Sequence, residues 1–264
     1  MVNTEPKECR SCVKEPTGTI NVARFIQGLD GFFAHNDLKG ACEFVGFWEN
    51  EARSLGDERG LLSVVNEELG LYRRTNDIDA AMNAVDEAVS LIEKLGMSES
   101  VSGANILVNA ATTLKAFGRP EEGLKYYDTA EKTLVGAGKQ RSYEYAALLN
   151  NKAAALNELK RYDDGECCYL SAIEILKEEG KHDGEIAVSM INLAHLVFDR
   201  DDTAYERVES LLDEAWEYIN SPRQPHDANY AFILSKCAPS LDYFKRHDEA
   251  DALREVAKEI YERA

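Results

Sequence analysis

The segment Leu149–Glu174, LNNKAAALNELKRYDDGECCYLSAIE, contains two amphipathic runs on either side of a short polar turn. Small or apolar residues recur at helical spacing in both runs: Leu149, Ala153 and Leu156, then Gly165, Tyr169 and Ala172. Because residues three and four apart share one face of a helix, the segment predicts two helices joined by a tight turn. Ala153 and Gly165 are small enough to let these two helices approach closely, so both positions are expected to be buried at the crossing.

The same frame returns along the chain at intervals close to 42 residues, as Ala88, Ala130 and Ala172 show. A self-similar period of this length is typical of stacked repeats rather than of one compact core. The sequence therefore predicts an all-α chain of six helix pairs, with a flexible N-terminal tail at 1–18 and a solenoid at 19–264. The six repeats are placed approximately at 20–57, 58–98, 99–140, 141–181, 182–222 and 225–264.

The turns inside the pairs repeat as well. Asn36, Asn76 and Gly118 follow the first helix of three pairs, and these residue types tolerate the left-handed conformation that ends a helix. Asp37 and Asp77 come next and are expected to cap the second helix. In the last pair, Pro239 falls within the first helix and is expected to kink it.

The composition limits the classes of ligand and location. The chain of 264 residues carries 48 acidic and 30 basic residues, for a net charge of −18. That charge disfavours nucleic acids and anionic membranes as partners. No apolar run approaches the roughly 20 residues that span a bilayer, and the N-terminus lacks a signal-peptide pattern. With six unpatterned cysteines, these features predict a soluble cytoplasmic protein.

No catalytic, metal-binding or cofactor-binding motif is recognisable in the sequence, so the chain is not expected to be an enzyme. Cys9 and Cys12 form a C-x-x-C pair, but zinc needs four ligands and no second pair follows. The sequence leaves open the alternative that two chains share one zinc site. The other cysteines lie in predicted helices and are expected to be small apolar packing residues: Cys42, Cys167, Cys168 and Cys237.

The motifs N-N-x-A-x-x-L at 150–156 and [KR]-Y-[DE]-[DE]-[AG] at 161–165 resemble the tetratricopeptide repeat (TPR) family, in particular its long-repeat kinesin-light-chain subgroup. Bacterial pheromone receptors of similar repeat type are a second resemblance. The resemblance covers roughly residues 20 to 263. It implies a right-handed α-α superhelix whose first helices line a concave groove.

The resemblance also implies which side chains contact a ligand. In the family, one column of the groove holds asparagines that bind the backbone of an extended peptide, and here that column contains Asn109, Asn151 and Asn192. Alternatively, these asparagines bond neighbouring helices within the stack. A second column contains Arg73, Lys115 and Asn157, which either receive an acidic group or are ordinary surface charge. His195 lies on the predicted groove wall, as a pH-sensitive contact or simply a polar spacer.

The functional prediction is a non-enzymatic scaffold that binds a protein or an extended peptide segment in its concave groove. The alternative is a sensor of the pheromone-receptor type, which binds a peptide or a metabolite and acts through a partner protein. The sequence specifies neither the partner nor the oligomeric state.

Overall fold

In a computed structural model that describes residues 17–35 and 37–263, the chain forms twelve α-helices and no β-strand over the described residues. Cys9, Cys12 and Asn36 lie outside the described residues. None of the described helices has the length and apolar character needed to cross a membrane. The helices are α1 Val22–Ala34, α2 Leu38–Leu55, α3 Glu58–Thr75, α4 Ile78–Lys94, α5 Val101–Ala116, α6 Pro120–Gly136, α7 Tyr143–Glu158, α8 Tyr162–Glu179, α9 Asp183–Arg200, α10 Tyr205–Ile219, α11 Ala228–Tyr243 and α12 His247–Arg263.

The helices pack as six consecutive pairs, which confirms the predicted architecture. Ala153 and Ala172 have no exposed surface, as the repeat frame predicts. A Cβ atom added to Gly165 would lie 2.8 Å from Leu196 Cδ1 and 3.3 Å from the carbonyl oxygen of Ala153. Small residues at these positions therefore set the distance between the helices of a pair and between that pair and its neighbour.

The turns end and begin the helices as the sequence predicts. Asn76 and Gly118 both have positive φ, at 56° and 75°. The carboxylates of Asp37 and Asp77 accept hydrogen bonds from the N–H groups at the third position of α2 and α4, at 2.8 and 3.1 Å. In the third turn Lys160 adopts the same left-handed conformation, with φ of 59°, although only glycine does so without steric cost.

The concave side of the stack is formed by the first helix of each pair. Each of α1, α3, α5, α7 and α9 contacts the next first helix along the chain, and no two second helices pack comparably over the described residues. The first helices are therefore closer to the axis of curvature, and the second helices form the outer layer. This inner surface is the groove that the sequence interpretation expects to bind a ligand.

The last junction departs from the others, because α11 packs on α9 and makes few contacts with α10. The segment before α11 is held by an ion pair in which Arg223 donates to Asp183 through Nε at 3.0 Å and Nη2 at 2.7 Å. Asp183 is only 4% exposed. Pro239 lies inside α11, which continues to Tyr243. The terminal pair is thus attached mainly through the inner layer.

The residues before α1 are attached where the first pair meets the second, at the end of α2 and the start of α3. The N–H and Oγ1 of Thr17 both donate to the carbonyl oxygen of Leu55, at 2.9 and 3.1 Å. The N–H of Ile20 donates to the carboxylate of Asp57 at 2.9 Å, and both residues are buried. The division into a tail at 1–18 and a solenoid from 19 stays a prediction, but Thr17 is anchored.

Candidate functional site

The three predicted asparagines lie half-buried on α5, α7 and α9, three successive helices of the inner layer. The amide of Asn109 donates to Oδ1 of Asn66, on α3, at 2.8 Å. The amide of Asn151 donates to the carbonyl oxygen of Ala147 in its own helix at 2.9 Å. The side chain of Asn192 makes no hydrogen bond to any described residue.

These hydrogen bonds do not assign all three asparagines to the same predicted role, which is either binding a ligand or bonding a neighbouring helix. Asn109 bonds the neighbouring repeat, as the structural alternative expects, whereas the side chains of Asn151 and Asn192 make no hydrogen bond to another repeat among the described residues. An amide has two N–H groups and an acceptor oxygen, so each of the three keeps hydrogen-bonding capacity. Their role in binding stays a prediction. The sequence interpretation did not predict that Asn66 would accept the hydrogen bond from Asn109.

Helix α7 also carries two amide oxygens that lack a donor among the described residues, Oδ1 of Asn150 and Oδ1 of Asn157. The amide nitrogen of Asn157 is engaged, since it donates to Asp199 on α9 at 2.9 Å. Buried acceptors in folded proteins normally have a donor. Helix α7 therefore holds two buried amide oxygens whose hydrogen-bonding capacity the described residues do not use.

The predicted basic column does not form one cluster. Lys115 Nζ lies 3.6 Å from the carboxylate of Glu158 in the next repeat. Arg73 instead donates through Nη1 to the Thr113 hydroxyl at 2.8 Å and to the Asn109 carbonyl oxygen at 3.2 Å. Burial lowers the pKa of Arg73. Arg73 makes no ion pair with the described residues and its hydrogen-bond partners are neutral, although the nearby charge of Glu67 partly offsets the effect of burial on its pKa.

A contact across the groove involves Arg74, the neighbour of Arg73. Its guanidinium lies between two aromatic rings, 4.4 Å from the centroid of Phe33 on α1 and 5.6 Å from that of Phe232 on α11. The ammonium of Lys236 lies 5.2 Å from the same Phe232 ring. The superhelix is therefore wound tightly enough that its second repeat meets its last. Sequence reasoning missed Phe33 and Phe232, for which no repeat position gives a signal.

His195, which was predicted to lie on the groove wall, makes an aromatic contact between repeats. Its ring centroid is 5.1 Å from that of Tyr243 and 4.7 Å from that of Phe244, at the end of α11. Burial lowers the pKa of His195, so the imidazole is disfavoured as a cation. Its aromatic contacts help to attach the last pair to α9.

No group of three or more His, Cys, Asp and Glu side chains that could hold a metal ion exists within 17–35 and 37–263. Burial raises the pKa of the Cys168 thiol to about 11 and that of Cys237 to about 12, which suits packing residues. Cys167 is exposed, so the prediction that it is a packing residue is wrong. The Cys167 side chain faces outward because Cys168 and Tyr169 occupy the inward-facing side of α8.

Comparison with known proteins gives the fold a precedent. No family model matches the sequence, and neither does any curated protein. Among solved structures, BtubC (BKLC) from P. vanneervenii is 17% identical with a TM-score of 0.51, and the match covers 91% of each chain. A putative kinesin light chain with nearly identical TPR-like repeats from Podosopora anserina is 14% identical, with a TM-score of 0.54 over 75% of this chain and 94% of that one. A Rap protein complexed with Competence and Sporulation Factor is 14% identical, with a TM-score of 0.56 over 92% of this chain and 75% of that one. At these identities the likeness shows the fold alone.

Proposed function

We propose that this TPR-type repeat protein is a non-enzymatic scaffold whose inner groove binds an extended segment of a partner protein. The observation that carries the proposal is the placement of Asn109, Asn151 and Asn192 at one repeat position on α5, α7 and α9, half-buried on the concave side. Side chains at one position of successive repeats form a row that follows the groove. A row of amides is suited to a ligand that is itself periodic.

An extended peptide has that periodicity, because its backbone presents N–H and C=O groups in alternation. Amides can donate to the carbonyl oxygens and accept from the N–H groups without regard to the peptide's side chains. Affinity would come from the backbone and selectivity from the surrounding charges.

The proposal includes a cytoplasmic location. The net charge of −18 opposes binding to nucleic acid and to anionic membranes. The thiols of Cys168 and Cys237, whose pKa values are raised by burial, are unpaired packing groups that suit a reducing compartment.

A second candidate is a sensor, in which a peptide or metabolite in the groove changes the winding of the superhelix and so regulates a partner protein. The contact of Arg74 with Phe33 and Phe232 favours it, because this contact joins the second repeat to the last across the groove. The likeness to the Rap protein complexed with Competence and Sporulation Factor points the same way. Small-angle scattering separates the two: a sensor changes its radius of gyration when the ligand binds, and a scaffold keeps it.

Replacing Asn151 with alanine is expected to weaken binding of a groove peptide by about 1–3 kcal/mol, the usual cost of removing one partner of a desolvated hydrogen bond. The unfolding temperature should hardly change, because among the described residues the Asn151 amide bonds only Ala147 in its own helix. The measurement is calorimetric titration with a peptide selected on the parent protein from a displayed random library.

The matched control is Asn83→Ala, which removes an exposed amide from the outer helix α4. It should leave the affinity of the same peptide unchanged. Equal affinities for the parent and Asn151→Ala proteins, together with a lowered unfolding temperature for Asn151→Ala, would show that the asparagine row is structural.

A further inference from the structure

We infer that the groove takes an acidic segment of its partner, whose carboxylates bind at a cationic mouth formed by Arg74 and Lys236 around the Phe232 ring. This inference rests on the proposed groove and specifies the chemistry of its ligand. The mouth joins α3 in the second repeat to α11 in the last. Phe33 on α1 completes it, because the Arg74 guanidinium lies over its ring at 4.4 Å from the centroid.

The first observation is that these cations are left unpaired in a chain with 48 acidic residues. Most other arginines of the described residues are matched with acids: for example, Arg53 pairs with Glu49 and Glu87 at 2.7 and 2.6 Å, and Arg200 pairs with Glu166 at 2.6 Å. Neither Arg74 nor Lys236 makes an ion pair with the described residues. In so acidic a chain, two neighbouring unpaired cations on the inner side mark a site that can receive an external acid.

The second observation is the geometry of Arg74. Phe33 and Phe232 lie at 4.4 and 5.6 Å from the guanidinium, so that the contact is with aromatic rings instead of carboxylates. A guanidinium over an aromatic ring is attracted by the ring's π-electrons, which limits its freedom of movement. Its N–H groups project from the edge of the plane, where they can donate in pairs to a carboxylate. The rings thus position the cation without consuming its hydrogen bonds.

The third observation is that both cations share one ring. Arg74 and Lys236 lie 5.6 and 5.2 Å from the Phe232 centroid, from different helices. All three side chains are exposed to solvent, with Phe232 39% exposed. A ligand can therefore reach both charges, and a chain with two carboxylates can contact the second and last repeats at once.

The net negative charge of the chain opposes the binding of an acidic segment. How strongly each acid repels the segment depends on the distance between the two charges. At physiological ionic strength, exposed charges farther apart than about 8 Å are largely screened. The repulsion from acids on the outer helices is thus weakened, whereas Arg74 and Lys236 attract the ligand at contact distance. On α3 itself the charges of Glu67 and Glu68 are weakened locally, because burial raises the pKa of both carboxyl groups.

The test uses two fluorescein-labelled eight-residue peptides, one of alternating Glu and Ala and the other of alternating Gln and Ala, titrated into the full chain by fluorescence anisotropy. The Glu peptide is expected to bind at least about tenfold more tightly at low salt and to lose this advantage as salt rises. Arg74→Glu and Lys236→Glu should each weaken the Glu peptide by about tenfold or more and leave the Gln peptide nearly unchanged. The matched control is Lys132→Glu, since Lys132 is an exposed lysine on α6 that makes no ion pair with the described residues and the change in net charge is identical.

The outcomes separate this inference from the proposed groove. Equal binding of both peptides, unaffected by Arg74→Glu and Lys236→Glu but weakened by Asn151→Ala, overturns the cationic mouth and leaves the groove standing. Loss of the Glu peptide in the two mouth variants, with no effect of Asn151→Ala, supports the mouth and contradicts the asparagine row. An equal loss in Lys132→Glu assigns the effect to net charge and overturns the inference. Absence of binding by either peptide, or tighter binding of an eight-nucleotide single-stranded DNA, also overturns it.

Discussion

Replacing Tyr169 with alanine is expected to lower the free energy of unfolding by about 3–5 kcal/mol, the range for removing a large aromatic side chain from a core. Tyr169 lies on α8 and is 2% exposed. It occupies the same repeat position as Tyr127, which is fully buried on α6. Alanine at 169 would leave a cavity where the second helix packs on the rest of its repeat.

Urea unfolding measures this loss, and Tyr205→Ala is the matched control because Tyr205 is 63% exposed on α10. The control should change the free energy of unfolding by less than about 0.5 kcal/mol. Because each repeat contacts mainly its neighbours, hydrogen exchange of the Tyr169→Ala protein should rise most in α7, α8 and α9. A loss below about 1 kcal/mol for Tyr169→Ala would mean that the register of the fourth repeat is wrong.

The second large effect concerns Glu68, a carboxyl group on α3 that is 4% exposed. Burial raises its pKa from 4.5 to about 7, and the charges of Glu49 and Glu87 add to the shift, while Arg53 opposes it. Between these two pH values the folded protein holds a proton at Glu68 that the unfolded chain has released. The stability that this proton supplies is complete below about pH 4.5 and is lost as the pH rises toward 7.

The variant Glu68→Gln replaces the carboxyl by a neutral group of the same shape. We expect it to be more stable than the parent at pH 8 by about 2–3 kcal/mol and nearly equal to it at pH 4. The measurement is urea unfolding across this pH range. The control is Glu121→Gln, an exposed acid on α6 that should leave the pH dependence unchanged. A Glu68→Gln protein with the same pH dependence as the parent would contradict the raised pKa.

The repeat frame was predictable from the sequence because its signals are local. Ala153 and Ala172 are small since two helices cross there, and that requirement recurs in every pair with the same spacing. The turn at Asn76 and Asp77 is specified by backbone conformation and capping, which act over four residues. Fold class and number of helix pairs follow from such short-range rules.

The contacts across the groove were not predictable, because they depend on the rotation that accumulates from one repeat to the next. The meeting of Arg74 with Phe232 is set by the packing of every intervening pair, and no periodic position marks it. The same holds for His195, whose aromatic partners come from α11 because that helix packs on α9. Which inner polar groups are engaged, such as Asn109 with Asn66, likewise depends on the distance between repeats.

The central claim is that the concave side binds a partner protein, and site-specific photocrosslinking tests it most directly. A photoreactive amino acid is placed at Ala154, which lies beside Asn150, Asn151 and Asn157 on α7, and separately at Asn83 on the outer helix α4. Crosslinked products from the cells of origin are identified by mass spectrometry. We expect position 154 to crosslink a protein through one short segment, and Asn151→Ala to reduce the yield of that product. Crosslinks formed from position 83 alone, or at 154 without dependence on Asn151, would contradict the account.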